Sequence, residues 1–511
     1  MHECGDQVTT LAYTGQSTPG GLLLALVVLL PFAGMLAGLA PGGRYAQRAA
    51  WVTIVLGVGV VLEIAARLLA SGDALRYALG GWAPPLGVML RADGLSVCMM
   101  LVVAVVVGAV AVYANGDFGT PSGTREARAP LAFWLLLLAV WGALNLVFVS
   151  GDIFTLYVAL ELLTFAGVPL VSLDGRAETL QAALRYLLYA LIGSMLYLLG
   201  VFLLYGAYGT LDIALLAAKI GPGPLAWTAV ALMSAGMLAK TALFPLHLWL
   251  PPAHAGAPAA ASALLSALVI KGSWFVVVRL WLDVFGGMVG GSVAQLLAGL
   301  GAMAILFGNV VALRQARLKL LIAYSTVAQI GYLFLLFPLA AHDEGARAVT
   351  GGLLQAISHA SAKAAMFLAA GLIYSTLGHD RLADLRGAAR ALPMTLTAFA
   401  LAGATLIGLP PSGGFLAKWL LMSAALASGQ WWWALTMLLG GLLTSVYVFM
   451  VVVRAMEPAA PGWSPKKPVP RYQQLAVLGL ATCSFLLGLA VLLPVDVAQI
   501  GRTVTTQAGM P

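Results

Sequence analysis

Charge is scarce in this chain. Asp, Glu, Lys and Arg make up 9% of its 511 residues, against 61% hydrophobic, whereas a soluble domain carries about 25% charge. That excludes a soluble enzyme or binding domain and leaves a polytopic membrane protein. Acids are fewer than bases, 19 against 27, giving a formal charge of +8. The excess lies mostly in short connections, as the positive-inside rule requires, so it does not point to nucleic acid. Cysteine is nearly absent. Cys4, Cys98 and Cys483 are an odd number without paired spacing, so neither a disulfide framework nor a metal site follows. The opening MHECGDQVTTLAYTGQ lacks the basic n-region of a signal peptide. Long polar connections are missing too. The longest, 71–93, 115–130, 207–224 and 455–472, are all under about 25 residues and hold no catalytic loop or metal constellation. A transporter subunit therefore fits better than an enzyme, and no cofactor is expected.

What remains is apolar sequence, and a bilayer crossing takes about 20 such residues. Fourteen spans are expected, near 21–40, 49–70, 94–114, 131–149, 152–172, 181–206, 225–249, 257–282, 293–313, 318–340, 349–375, 393–427, 431–454 and 473–494. The expected fold is an all-α polytopic membrane protein, a single integral membrane domain over 1–511. Sixteen Lys and Arg residues fall in connections after odd-numbered spans, among them Arg44, Arg128, Arg317 and Lys466. Five (Arg76, Arg91, Lys219, Arg347 and Arg502) follow even-numbered spans or lie in the tail. This bias puts both termini outside the cytoplasm of a bacterial inner membrane.

Two spans are irregular. Residues 393–427 would make a continuous helix of about 50 Å at 1.5 Å per residue, too long for one crossing of a core about 30 Å thick. GLPPSGG at 408–414 interrupts it, so two half-helices around an unwound middle are expected. The seventh span meets Pro245 and then Pro251-Pro252 soon after Lys240. Unwound backbone at membrane depth survives only inside protein or beside water, and paired Gly/Pro-interrupted spans point to an ion path. Lys240 and Lys418 are five spans apart, as expected if spans 4–8 (131–282) and 9–13 (293–454) are inverted five-helix repeats.

An ionisable side chain in the membrane is costly and functional by default. Glu161 lies near mid-depth, about ten residues beyond Asp152; the alternative to a functional role is a static ion pair with Lys240, Arg185 or another cation. Lys240 and Lys271 flank the Pro/His-rich break in FPLHLWLPPAHAGAP. Desolvation penalises an ammonium, so such lysines can exchange protons where an exposed lysine would not; the alternative is snorkelling towards an interface. His359 and Lys363 share a helix face at i, i+4, and histidine is suited to relaying a proton, or else to packing. Lys418 follows the second break as an exit or as an interfacial anchor. His247 and His254 are either a proton inlet or caps for a broken helix. Glu63 and Arg67 read as a local i, i+4 pair. Tyr324, Ser325, Thr326 and Gln329 either hold water in span 10 or satisfy neighbouring helices.

The stretches GDIFTLYVALELL, FPLHLWLPPAHAGAPAAASALLSALVIKG, LKLLIAYSTVAQIGY, HASAKAAMFLAAG and GLPPSGGFLAKW resemble the antiporter-like membrane subunits shared by respiratory complex I, Mrp-type cation/proton antiporters and membrane-bound hydrogenases. GGWAPPLGVMLRADGLS, before span 3, resembles the same family. The resemblance implies fourteen helices, two inverted repeats and a hydrophilic axis along the membrane plane. It assigns proton transfer to Glu161 of span 5, Lys240 and Lys271 of spans 7 and 8, His359 and Lys363 of span 11, and Lys418 of span 12. It also implies other integral membrane subunits as partners, with protons and Na+ as the ions carried. Some complex I members have glutamate at the Lys418 position, and the largest continues into a lateral helix where this chain stops after Pro494. The nearest resemblance is therefore to the D-type subunit of an Mrp antiporter. A complex I or hydrogenase counterpart, a subunit of an inorganic-carbon uptake complex, and an inert scaffold are the alternatives.

Overall fold

A computed structural model describes residues 16–120, 127–286, 288, 290–342, 345–459, 465–489 and 497–501. The described residues are mostly helical, with one two-stranded sheet. Among the described residues, twelve helices are long and apolar enough to cross a bilayer. The two expected spans outside that set are the broken ones. Span 7 is the helix Pro224–Thr241, a turn, and the short helix Leu250–Gly256. Span 12 is two half-helices, Pro393–Ile407 and Gly413–Ala427.

The breaks have local causes. Ala242 takes a left-handed conformation, φ 58°, directly after Thr241, which reverses the chain before Pro245 forbids further helix. The Trp249 indole then donates at 3.0 Å to the Ala239 carbonyl, which also accepts from the Ala242 N–H at 3.2 Å, closing that helix end. Gly408, at φ 89°, ends the first half of span 12, and the Ser412 side chain caps the second by accepting from the Phe415 N–H at 3.1 Å.

Burial divides the bundle into an inner and an outer set. Every residue in the most apolar window of span 8 is buried, and 94% in span 11, against 33% in spans 1 and 2. Span 11 (Gly345–Leu377) packs against spans 3, 8, 10, 12 and 14. Spans 6 and 7 cross where Gly193 meets Gly236: a Cβ on Gly236 would lie 2.2 Å from the Gly193 carbonyl oxygen. Only glycine permits that approach, and it brings the helix carrying Lys240 against span 6.

The connection 71–93 is more ordered than its sequence suggests. Leu75–Ala78 pairs antiparallel with Met89–Ala92, Leu75 opposite Ala92. Bridges Leu90↔Ser150 and Asp152↔Asp212 gather connections after even-numbered spans, while Arg317↔Arg381 joins two after odd-numbered ones. Glu63 and Arg67 form the expected local pair, 2.7 Å apart on an exposed face.

Candidate functional site

The buried cations line up through the inner helices. Lys240, in the last turn before the span-7 break, donates to Glu161 Oε1 at 3.2 Å, to Thr164 Oγ1 at 2.9 Å and to the Leu160 carbonyl at 3.4 Å. Its position at a helix C-terminus suits a cation. Glu161 also accepts from the Ser194 hydroxyl. Lys240, not Arg185, is thus its cationic partner. A small cavity of about 10 Å³ beside Lys240, bounded by Thr164, Tyr186, Val269 and Ser273, has room for about one water. The Thr241 hydroxyl donates to Ser273 Oγ at 3.1 Å, tying the Lys240 helix to the Lys271 helix.

Lys271 follows an irregularity that the sequence does not announce. Residues Leu265–Val269 form a π-helical turn inside span 8. Such a turn displaces carbonyls from their usual i+4 partners, and π-bulges recur at functional sites. The Lys271 ammonium donates to the Ser266 carbonyl at 2.5 Å, with 1% of the residue exposed. It therefore points inward instead of snorkelling. The Ser266 and Thr326 hydroxyls are 3.0 Å apart, joining spans 8 and 10.

In span 11, Lys363 donates to the Ser325 hydroxyl and, at 3.1 Å, to the Ile322 carbonyl of span 10. His359 is fully buried, and neither ring nitrogen has a hydrogen-bond partner among the described residues. Lys271, Lys363 and Lys418 all lie within its electrostatic reach. Beyond it runs an amide bridge. The Gln355 Nε2 donates to Gln329 Oε1 at 2.9 Å, and the Gln329 Nε2 donates to the Leu406 carbonyl at 3.3 Å. Lys418 donates to that same carbonyl at 2.7 Å and to Ile407 O at 3.0 Å. It sits 4.4 Å from the centroid of the Tyr332 ring, a cation–π contact. Gln355 Oε1 is a further buried atom without a partner.

The two histidines of the span-7 break separate. His247 stacks on Phe244 and meets Phe307 edge-on, at a cavity of about 340 Å³ that Arg185, Tyr189 and Tyr324 also line. His254 turns inward and stacks on Phe367 of span 11, ring centroids 4.7 Å apart, and neither ring nitrogen has a partner among the described residues. Tyr324 and Ser325, adjacent in sequence, thus serve opposite sides of span 10. No group of His, Cys, Asp or Glu suited to a metal ion occurs among the described residues.

The pattern of buried lysines, broken spans and a polar seam has relatives. Residues 150–444 match the family described as the membrane part of NADH:quinone oxidoreductase and Mrp antiporters. The chain belongs to that family. It is 36% identical over 459 residues to the N-type subunit of NADH-quinone oxidoreductase from Desulforudis audaxviator, covering 87% of this chain and 89% of that one. It is 31% identical to the D-type subunit of the Na(+)/H(+) antiporter from Alkalihalophilus pseudofirmus, over 74% of this chain and 75% of the relative. The fold is similar to a chain of the Mrp complex from Dietzia sp., with a TM-score of 0.84 at 24% identity, covering 95% and 98% of the two chains. This family member is therefore a multi-pass membrane protein of the antiporter-like kind.

A second buried charge cluster lies outside the expected residues. Arg279, at the far end of span 8 from the π turn, donates to both Asp93 oxygens at 2.5 and 2.9 Å, to Asp283 at 2.8 Å and to the Ser96 hydroxyl at 2.9 Å. Asp93 also caps the helix Gly94–Asp117 by accepting from the Ser96 N–H. Burial alone would push the Asp93 carboxyl up, but the Arg279 guanidinium and its hydrogen bonds hold it well below the usual carboxylate range. Asp93 and Arg279 are 186 positions apart, so no local pattern announces the pair. The one cue in the sequence is an arginine at the end of an apolar run, where a charge needs a partner.

Proposed function

We propose that this chain conducts protons within a hetero-oligomeric membrane complex, through Glu161, Lys240, Lys271, His359, Lys363 and Lys418. One observation carries the reading. All four lysines are less than 8% exposed, and each donates to hydroxyl, carbonyl or carboxylate oxygens inside the protein, instead of turning to lipid. A proton arriving through the span-7 break, past His247 or His254, reaches Lys240, whose charge Glu161 compensates. The small cavity and Ser273 lead on to Lys271. His359 and Lys363 receive it in span 11, and the Gln355–Gln329 bridge orients the last transfer to Lys418. There the carbonyl end of the half-helix Pro393–Ile407 favours the ammonium. Two ammonium groups in a poorly screened interior repel, so a proton arriving at one site promotes departure from the next.

Spans 4–8 and 9–13 act in this reading as two inverted repeats, each contributing one break and one lysine beside it. The connections rich in Lys and Arg face the cytoplasm. For the complex itself, an Mrp-type Na+/proton antiporter is supported by the D-type antiporter relatives and by lysine at position 418. A redox-driven quinone oxidoreductase is the second reading, favoured by the 36% identity to an N-type oxidoreductase subunit. Vesicles containing the purified complex separate the two: transport driven by a Na+ gradient supports the first, and transport driven only by quinone reduction supports the second.

The conduction reading is tested at Lys271. In Lys271→Ala, proton transport per assembled complex should fall at least tenfold while the amount of complex is retained. Lower assembly with unchanged turnover would instead mark an inert scaffold. The amide bridge makes its own prediction. Gln355→Leu and Gln329→Leu remove a buried hydrogen bond worth roughly 1–3 kcal/mol. Each should slow proton transport about tenfold in the same vesicle assay, and Gln355→Asn should recover part of the rate.

A further inference from the structure

Arg185 is a cation that the proton path leaves unused. It lies eight residues into the helix Ala177–Tyr208, about 12 Å from its start, and is exposed. Among the described residues it forms no hydrogen bond or ion pair. Its helix otherwise presents an apolar stripe to the surroundings: Leu180, Leu184, Leu188 and Ile192 are 52–60% exposed. A guanidinium on such a face needs an anion, and none is supplied among the described residues.

The cavity beside it is equipped to hold that anion. Of about 340 Å³, it brings Arg185 together with Tyr189, Tyr324 and His247, over a floor of Pro251 and Pro252. His247 is only 3% exposed, and Phe244 and Phe307 fix its ring. Among the described residues, neither tyrosine hydroxyl has a hydrogen-bond partner. One planar cationic fork with neutral donors converging on it is the chemistry of a phosphate seat. The volume is at the low end for ligand pockets, about 300–1,000 Å³, which suits a headgroup and not a whole lipid. Its one exposed apolar lining residue is Leu248, 56% exposed, and Phe307, 39% exposed, lies against His247.

We propose that this cavity seats the headgroup phosphate of an acidic phospholipid, with its acyl chains lying along the exposed leucines of spans 6 and 7. Basic pockets between membrane helices hold anionic headgroups in this way. The seat shares His247 with the proposed proton inlet, but lipid retention is read without any measurement of transport, so the two readings fail separately.

The test is lipid retention by the purified complex, after exchange into vesicles of phosphatidylcholine containing a minority of phosphatidylglycerol, then detergent extraction and mass spectrometry of the bound lipid. The wild type should retain phosphatidylglycerol over phosphatidylcholine, and Arg185→Leu should lower that preference about tenfold. Arg185→Lys should keep part of it. The double variant Tyr189→Phe with Tyr324→Phe should lower it several-fold, and it decides the question if Arg185→Leu fails to assemble. Equal retention of both lipids, or an unchanged preference in these variants, would overturn the proposal. So would displacement of the lipid by millimolar inorganic phosphate, which would mark a site for the free ion. Loss of a partner subunit from Arg185→Leu with lipid retention intact would assign the arginine to a protein interface instead.

Discussion

Lys240→Ala should abolish proton-coupled transport in vesicles containing the complex, and Glu161→Ala should come close to doing so. Removing the lysine takes away the acceptor nearest the span-7 break and, among the described residues, leaves Glu161 with the Ser194 hydroxyl as its side-chain hydrogen-bond partner. Removing the glutamate leaves the ammonium with Thr164 and the Leu160 carbonyl, and no counter-charge in an interior that screens poorly. The loss should reach a factor of about 10³ if the barrier rises by about 4 kcal/mol. Lys240→Arg is the informative companion: it keeps the charge and fails to release a proton, so its transport should be as low as that of the alanine variant while its assembly is normal. Wild-type rates in Lys240→Ala would reject the path.

Asp93→Ala should act on a different quantity. It strands Arg279, fully enclosed at the junction of spans 3 and 8, with Asp283 as its remaining acid. Breaking a buried pair by deleting one partner costs about 3–5 kcal/mol, so the thermal midpoint and yield of the complex should drop sharply. Turnover of whatever assembles should be nearly intact. The pH dependence has a defined sign. A carboxyl held below its unfolded value stabilises the fold above about pH 4 and loses that contribution only as pH falls through the folded value. The wild-type complex should therefore show no loss from this cluster between about pH 5 and 8, and Asp93→Asn should be less stable across that whole window. A thermal melt of detergent-purified complex at several pH values reads this directly.

The contrast between those two sites explains what can be read from the chain. The breaks in spans 7 and 12 are legible because Pro245, Gly408, Pro410 and Pro411 cannot continue a helix, and the lysines because a charge inside an apolar run has few innocent explanations. The seam between them is legible only in part. Ser325, Thr326 and Gln329 announce themselves as polar positions, but their partners sit on spans 8, 11 and 12, and a linear sequence does not say which faces meet. Gln355, uncharged and one turn from His359, carries no comparable signal. The hairpin 75–92 escapes for another reason: its strands are four residues each and their pairing is set by a tertiary surface, not by alternation alone. The π turn at Leu265–Val269 leaves no mark in composition at all, because its residues are ordinary helix formers.

That turn carries a consequence for motion. A helix that stores one surplus residue in a single coil has a defect able to migrate. Advancing it by one position rotates the intervening residue by about 100°, since successive residues are offset by that angle. Lys271 is two residues past the defect, so a short slide would swing its ammonium from its present carbonyl to a different neighbour, with the two flanking rods left in place. Such a slide would need no hinge, for which the wholly buried core of span 8 leaves no room.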